Sequence, residues 1–134
     1  MVFDTMVIAH ALLGFTEFHQ ESVKAVRASK EVWAPELLKV ELLSTLWQYT
    51  RSRKLSPDLA VELLQDGDAL VSAYTANDEL REEALRLAIA RDHSPYDTIF
   101  IALALVKGCK VITYDRPLLT KFPESTITVS KFLR

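Results

Sequence analysis

Four acidic side chains stand out in this sequence because of where they fall relative to its apolar segments. Asp4 follows a short apolar start, Asp97 falls in the first turn of an apolar helical segment, and Asp115 follows an apolar strand segment. Glu41 lies in a helical segment whose residues three and four positions away are half apolar and half small and polar. Clusters made only of carboxylates suit Mg²⁺ or Mn²⁺, because these hard cations prefer oxygen ligands. The four acids therefore indicate a candidate cation site.

Each of these acids also has a purely structural explanation. Asp4 and Asp115 can cap the helices that follow them. Asp97 can stabilise its helix by about 0.3–1 kcal/mol through a favourable interaction with the helix dipole. Glu41 can reach along its helix edge into water. Three aspartates at strand-to-helix boundaries together with one inward-facing glutamate favour a shared site. Two such charges ~5 Å apart cost about 3 kcal/mol at an effective dielectric constant of ~20, so a cluster implies a cation or raised pKa values.

Other catalytic chemistries lack their usual motifs. The three histidines do not have the spacing of a zinc-binding helix, and the one cysteine, Cys109, excludes thiolate clusters and internal disulfides. The three glycines form neither a GxxxxGK[ST] phosphate loop nor a GxGxxG fingerprint. His93, four residues before Asp97, is predicted to be a solvated loop residue, and Cys109 a small buried core residue.

Composition limits the class of protein. The 134 residues fit one domain with a real core, and 49% hydrophobic with 25% charged residues is an ordinary globular balance. The longest fully apolar run, 99–106, is too short for a membrane span, and the sequence predicts no signal peptide. Cysteine usage favours a reducing cytoplasm. The net charge of −2 does not indicate a nucleic-acid partner, but neutralising four carboxylates would leave a slightly positive chain.

Short apolar strands alternate with helices along the chain. Strands are predicted at residues 1–3, 32–34, 70–74, 110–114 and 126–129. Helices are predicted at residues 6–13, 17–30, 35–53, 56–66, 77–91, 95–107 and 116–122, with Gly67 and Gly108 each ending a helix. The alternation predicts an α/β fold with a largely parallel sheet and helices on both faces. Because ligands bind at the carboxyl ends of parallel strands, Asp4 and Asp115 should emerge at one edge.

The chain resembles the PIN domain and, within that family, the VapC-type toxins of prokaryotic toxin–antitoxin pairs. The resemblance rests on FDTMVIAHALL, APELLKVELLSTLWQYTR and SPYDTIFIALALVKGCKVITYDRPL, in that order and followed by a closing strand. The segment YDTIFIALA with the strand and TYDRPL is its most specific part. It implies a single PIN-like domain over residues 1–134, a three-layer α/β/α sandwich with a four- or five-stranded, mostly parallel sheet. Only three residues precede Asp4, fewer than is usual in the family, so a short first strand is expected.

The resemblance also implies a function. It implies an Mg²⁺- or Mn²⁺-dependent endoribonuclease toxin that forms a homodimer and is inhibited by a small VapB-type antitoxin. The family's acidic quartet, catalytic and metal-binding, falls on Asp4, Glu41, Asp97 and Asp115. Thr5 and Thr113 match positions that orient these acids. The alternative is a PIN-fold binding protein that acts through antitoxin, RNA or subunit contacts without useful activity; the intact quartet favours the nuclease.

An RNA substrate requires basic side chains near the acidic centre. The candidates flank the end of the long helix and the last aspartate: Arg51, Arg53, Lys54, Arg116 and Lys121. Each can also be an ordinary solvated charge, and Arg116 is favoured because it adjoins Asp115. Trp47 could stack on a base or form a dimer face, and with Val40 and Leu43 on its side it is predicted to be a core or interface residue.

Overall fold

The sheet of this protein consists of five very short strands. A computed structural model describes all 134 residues. The strands are β1 (Val2–Phe3), β2 (Trp33–Pro35), β3 (Ala73–Thr75), β4 (Val111–Thr113) and β5 (Thr126–Thr128). They lie in the order β3-β2-β1-β4-β5, and every neighbouring pair is parallel. The predicted α/β fold with a four- or five-stranded, mostly parallel sheet is confirmed, with five strands, all parallel.

Eight helices surround this sheet. They are α1 (Thr5–Leu12), α2 (His19–Ala28), α3 (Leu37–Arg51), α4 (Pro57–Leu70), α5 (Asn77–Arg91), α6 (Pro95–Lys107), α7 (Arg116–Lys121) and α8 (Val129–Phe132). Helix α1 packs against α2, α3 and α4, whereas α5 packs against α6, which lies on the central strands. No helix combines the length and the apolar character that crossing a bilayer requires.

The order of the strands explains the two helical layers. The chain moves outward from β1 through β2 to β3, with α1 to α4 as connections, and then returns past β1 to β4 through α5 and α6. Because crossovers between parallel strands are right-handed, this reversal places α5 and α6 on the opposite face of the sheet. The crevice between β1 and β4 is thus the switch point at which such sheets bind ligands.

Helix α6 forms the central part of the second layer. Ser94 caps its first turn and Pro95 occupies the first helical position, as the sequence predicts. Residues 98–104 are buried, but Leu105 and Val106 are 51% and 71% exposed, so the last turn is not buried as predicted. The helix spans about 20 Å, whereas three-residue strands span about 10 Å, so its end projects beyond the sheet.

Gly67 does not end a helix, and this prediction is wrong. It lies inside α4 and is buried, and a Cβ atom there would come within 2.5 Å of Leu42 Cδ2. The glycine therefore permits close packing of α4 on α3. Because α4 continues to Leu70, the strand predicted at residues 70–74 begins only at Ala73.

Several further boundaries differ from the predictions. Pro35 ends β2 instead of starting the long helix, because the amide of Glu36 still donates to the carbonyl of Thr75, 2.9 Å away, across the sheet. Val129 belongs to the unpredicted helix α8, whose first turn Thr128 caps through the amide of Lys131. Cys109 is half-buried at the rim of the core, not fully buried as predicted, because it follows the projecting end of α6.

Replacing Gly108 by alanine should destabilise the fold. Gly108 has φ +63° where α6 ends, a conformation that costs an L-residue about 1–2 kcal/mol. We expect Gly108→Ala to lower the free energy of unfolding by about that amount in urea titrations. The control is Gly14→Ala, because Gly14 has equally open surroundings without a positive φ. An equal loss in both variants would contradict the conformational explanation.

Candidate active site

The four acids predicted from the sequence line one pocket at the carboxyl edge of the sheet. The pocket has a volume of about 270 Å³. Its nine lining residues are Asp4, Thr5, Met6, Glu41, Ser44, Thr45, Gln48, Asp97 and Asp115. Met6 is the one hydrophobic residue among them, whereas sites for small organic ligands are mostly apolar. The pocket is therefore suited to a charged ligand.

Asp4 and Asp115 are both helix caps and pocket residues. Asp4 Oδ1 accepts from the amide of Thr5 at 2.8 Å and caps α1, while Asp115 Oδ1 accepts from the amide of Leu118 at 2.8 Å and caps α7. Capping holds one oxygen of each carboxylate against its own helix. The structural explanation and the cation-site explanation of these residues are thus compatible.

The two predicted supporting threonines contact the acids. Thr113 is fully buried; its hydroxyl donates to Asp4 Oδ2 at 2.6 Å and accepts from the amide of Asp115 at 2.9 Å. The hydroxyl of Thr5 donates to Glu41 Oε1 at 2.7 Å. Thr113 therefore orients acids from two neighbouring strands, and Thr5 joins α1 to α3.

His93 is not the solvated loop residue that the sequence suggested. Its side chain is only 9% exposed, and Nε2 lies 2.9 Å from Asp97 Oδ2, where it donates to the ionised carboxylate. Its ring also packs edge-on against Phe122. Sequence spacing gave no clear signal, because His93 precedes α6 and the rule for residues four apart applies within a helix.

The pocket contains negative charge that no lysine or arginine side chain neutralises. Neither Lys nor Arg forms a salt bridge with any of the four acids. Burial raises the pKa of Asp4 to about 6 and of Glu41 to about 7, although hydrogen bonds from Thr113 and Thr5 oppose the rise. Burial also raises the pKa of Asp97, against the hydrogen bond from His93. Neighbouring carboxylates add to the rise: Asp97 and Asp115 raise the pKa of Asp4, and Asp4 and Asp97 raise that of Glu41. A bound cation would relieve that repulsion.

The donor set fits a hard divalent cation in type but is not arranged to chelate one directly. Glu41 Oε2, Asp97 Oδ1 and Asp115 Oδ2 accept no hydrogen bond from the chain, so three carboxylate oxygens remain for a cation. Yet no three histidine, cysteine, aspartate or glutamate side chains stand in an arrangement that could hold an ion. Mg²⁺ usually keeps several waters, so direct contacts from all four acids are not required.

The predicted RNA-contacting cations lie outside this pocket. Arg51, Arg53 and Lys54 are exposed at the end of α3. Arg116 lines a separate depression beside Phe18 and Tyr114. Adjacency to Asp115 in sequence therefore does not bring Arg116 into the acidic pocket.

Trp47 is not a core residue. Its side chain is 56% exposed beside Val40 and Leu43, which are 62% and 54% exposed. The guanidinium of Arg51 lies 4.8 Å from the centre of its ring. The core alternative for Trp47 is thus wrong, because this face of α3 has no covering element.

Ser44, Thr45 and Gln48 also line the pocket, and they were not among the predicted site residues. They follow Glu41 by three, four and seven positions, the spacing that places side chains on one helix face. That spacing was the available signal. It was weak because small polar residues also occur on any solvated helix face.

The raised pKa of Glu41 predicts a pH-dependent gain of stability in Glu41→Gln. Since the folded-state pKa is about 7 against an ordinary 4.5, ionisation destabilises the fold fully above about pH 7 and not at all below about pH 4. We expect Glu41→Gln to exceed wild type by about 1–2 kcal/mol at pH 8, after allowing for solvent screening, and to match it at pH 4. Urea titrations in EDTA measure this, with the exposed Glu62→Gln as control. A pH-independent difference would contradict the prediction.

Comparisons with known proteins identify the family and agree with the fold. The PIN domain model matches residues 1–121. Ribonuclease VapC3 of Pyrobaculum aerophilum is 30% identical over 125 residues, which are 92% of this chain and 95% of that protein. The crystal structure of PAE2754 from Pyrobaculum aerophilum matches this chain with a TM-score of 0.76 at 20% identity. The match covers 98% of this chain and 85% of the PAE2754 chain, so the two share the same fold. The chain therefore belongs to the PIN-domain family, among its VapC-type members.

Proposed function

We propose that this protein is a divalent-metal-dependent endoribonuclease, the toxin of a toxin–antitoxin pair. The observation that carries the proposal is the convergence of Asp4, Glu41, Asp97 and Asp115 in one polar pocket without a lysine or arginine partner. Family membership and similarity to a protein named Ribonuclease VapC3 support it. The reaction is hydrolysis of an RNA phosphodiester.

The cofactor in this proposal is Mg²⁺ or Mn²⁺. Asp97 and Asp115 would hold it through the oxygens that accept no hydrogen bond, and Asp4 through a remaining lone pair or a bound water. Glu41 would reach it through water or orient the attacking water. Such a cation lowers the pKa of bound water and stabilises charge on the scissile phosphate.

In this scheme, three side chains of the protein orient the acids, and Glu41 accepts a proton. Thr113 holds Asp4 and Asp115 in place, and His93 engages one oxygen of Asp97 while leaving the other free. Thr5 holds Glu41 Oε1, so Oε2 can accept a proton from the attacking water. A pKa of about 7 suits Glu41 to that transfer near neutral pH.

The proposal includes a homodimer, a VapB-type antitoxin partner and a cytoplasmic location. An exposed apolar surface on α3 and α4, formed by Val40, Leu43, Trp47 and Val61, supports the protein contacts. Contiguous exposed apolar groups typically mark protein interaction sites. The single cysteine, Cys109, is consistent with a reducing compartment.

A second candidate is a PIN-fold binding protein without useful catalytic activity. One observation favours it: no three potential ligand side chains are arranged to hold an ion directly. The intact quartet favours the nuclease, because an inactive protein has no need to keep four mutually repelling carboxylates together.

Cleavage assays on structured RNAs separate these candidates. Wild type should cleave with Mn²⁺ and not with EDTA, and Asp97→Asn should lower the rate at least about 100-fold, because it removes a charged ligand from the cation site. Asp78→Asn is the control, since Asp78 also lies in the first turn of a helix, α5, but is exposed. It should cleave as wild type does. Equal cleavage by wild type and Asp97→Asn, or no effect of EDTA, would reject the nuclease proposal.

Thermal denaturation tests the cation site without an activity readout. Mn²⁺ at millimolar concentration should raise the melting temperature of wild type, because it binds the folded chain and relieves carboxylate repulsion. The rise should be smaller in Asp97→Asn and unchanged in Asp78→Asn. An equal rise in all three proteins would indicate non-specific binding and contradict the proposed site.

A further inference from the structure

We propose that a groove along α3 holds single-stranded RNA on its way into the acidic pocket. The groove runs from Glu41 to the turn after Ser52, and we call it the α3 groove. This inference rests on the proposed ribonuclease function and adds a binding path to it. Three features support it: a continuous depression, unpartnered polar groups on its floor, and an aromatic and cationic far end.

The α3 groove is formed by two adjoining depressions. The second has a volume of about 320 Å³ and is lined by Met6, Thr45, Gln48, Tyr49 and Ser52. It shares Met6, Thr45 and Gln48 with the acidic pocket, so the two are continuous. The distance along α3 from Glu41 to Ser52 is about 16 Å, longer than one nucleotide.

The floor of the groove is polar and uncharged beyond Glu41. The amide of Gln48 and the hydroxyl of Ser44 are exposed and form no hydrogen bond within the chain. The hydroxyl of Thr45 donates to the carbonyl of Glu41 instead. Free amide and hydroxyl groups can pair with the base edges of unstacked nucleotides, the usual mode of sequence-dependent RNA recognition. Because this part of the groove has no carboxylates, the phosphates of a bound RNA would meet no repulsive charge there.

An exposed aromatic ring lies next to Tyr49, which lines the outer part of the groove. Phe15 is 52% exposed and packs edge-on against Tyr49, with ring centres 5.5 Å apart. The contact fixes its orientation while half of its surface faces water. An exposed, oriented ring is a platform on which a base can stack.

Two cations follow at the end of α3. Arg53 and Lys54 are exposed and form no salt bridge. The amides of Arg53 and Lys54 close the helix on the carbonyls of Thr50 and Tyr49, which places Arg53 in the left-handed region at φ 61°. Glycine usually holds that position. A strained arginine there retains a positive charge where a phosphate backbone would leave the groove.

The groove suits RNA better than a peptide partner. Only Met6 and Tyr49 are hydrophobic in its outer part. A separate cleft on the neighbouring face of α3, lined by Leu43, Leu46, Trp47, Val61 and others, is mostly apolar. A protein partner that needs apolar anchors has that cleft available, so the polar groove remains for the nucleic acid.

Fluorescence anisotropy with a short labelled single-stranded RNA of mixed sequence tests the path. The full chain carrying Asp97→Asn, in EDTA, keeps cleavage out of the measurement. Adding Arg53→Gly should weaken binding and reduce the slope of log K against log salt by about 0.7, while the melting temperature stays equal or rises. Adding Phe15→Leu should weaken binding about fivefold or more through lost stacking. Gln48→Ala should reduce differences in affinity among homopolymeric RNAs.

The control is Arg81→Ala, which removes an exposed cation from α5 on the opposite face of the sheet. It should leave affinity and salt dependence unchanged. Groove variants that bind like this control would overturn the proposal and leave the groove to a peptide partner. Absence of cleavage in wild type with the expected binding losses would reject the nuclease and retain the groove, so the two failures are distinguishable.

Discussion

The pairing of β1 with β4 is the contact on which the site depends. It joins the start of the chain to a strand more than a hundred residues later, with the amide of Asp4 donating to the carbonyl of Ile112 at 3.0 Å. The buried hydroxyl of Thr113 completes the junction by contacting Asp4 and the amide of Asp115. With strands of two or three residues, few ladder bonds hold this pair together. The apolar helix α6 packs across β1, β2 and β4, and burial of its side chains therefore contributes much of the stability of the β1–β4 pair.

Gathering carboxylates at this junction opposes folding, and the surrounding polar groups compensate only in part. Each acid has at least one oxygen bound by a threonine hydroxyl, a histidine or a helix amide, yet the pKa values of Asp4 and Glu41 remain raised. Replacement of the acids by apolar side chains would remove this unfavourable contribution to folding. A site kept in this costly form is characteristic of a functional centre in which a ligand supplies the missing positive charge.

Helix α3 separates two kinds of surface. One face begins with Glu41 and continues through Ser44 and Gln48, and it forms the acidic pocket and the α3 groove. The neighbouring face carries Leu43 and Trp47 and opens onto the apolar cleft against α4. The same helix can thus serve chemistry on one side and protein contacts on the other, because side chains three to four positions apart share a face. Gly67 makes this arrangement compact by letting α4 approach α3.

Local patterns in the sequence were sufficient for the alternation of strands and helices, the caps at Ser94, Asp4 and Asp115, and the choice of the four acids. These features depend on residues close together in the chain, so the spacing of apolar residues and the types of capping residues are sufficient to predict them. The resemblance to the PIN domain added the three-layer sandwich with a four- or five-stranded, mostly parallel sheet and the two supporting threonines.

Only the tertiary structure decided the features that depend on distant residues. Gly67 looked like a helix end because its partner Leu42 lies on another helix, and His93 looked solvated because Phe122 covers it from far along the chain. Trp47 looked buried because its apolar neighbours on α3 suggested a core face, but no element covers them. The sequence by itself determined the choice of the four acids that line the pocket and the elements beside which they lie. Packing decided their surroundings, because burial is set by which elements meet.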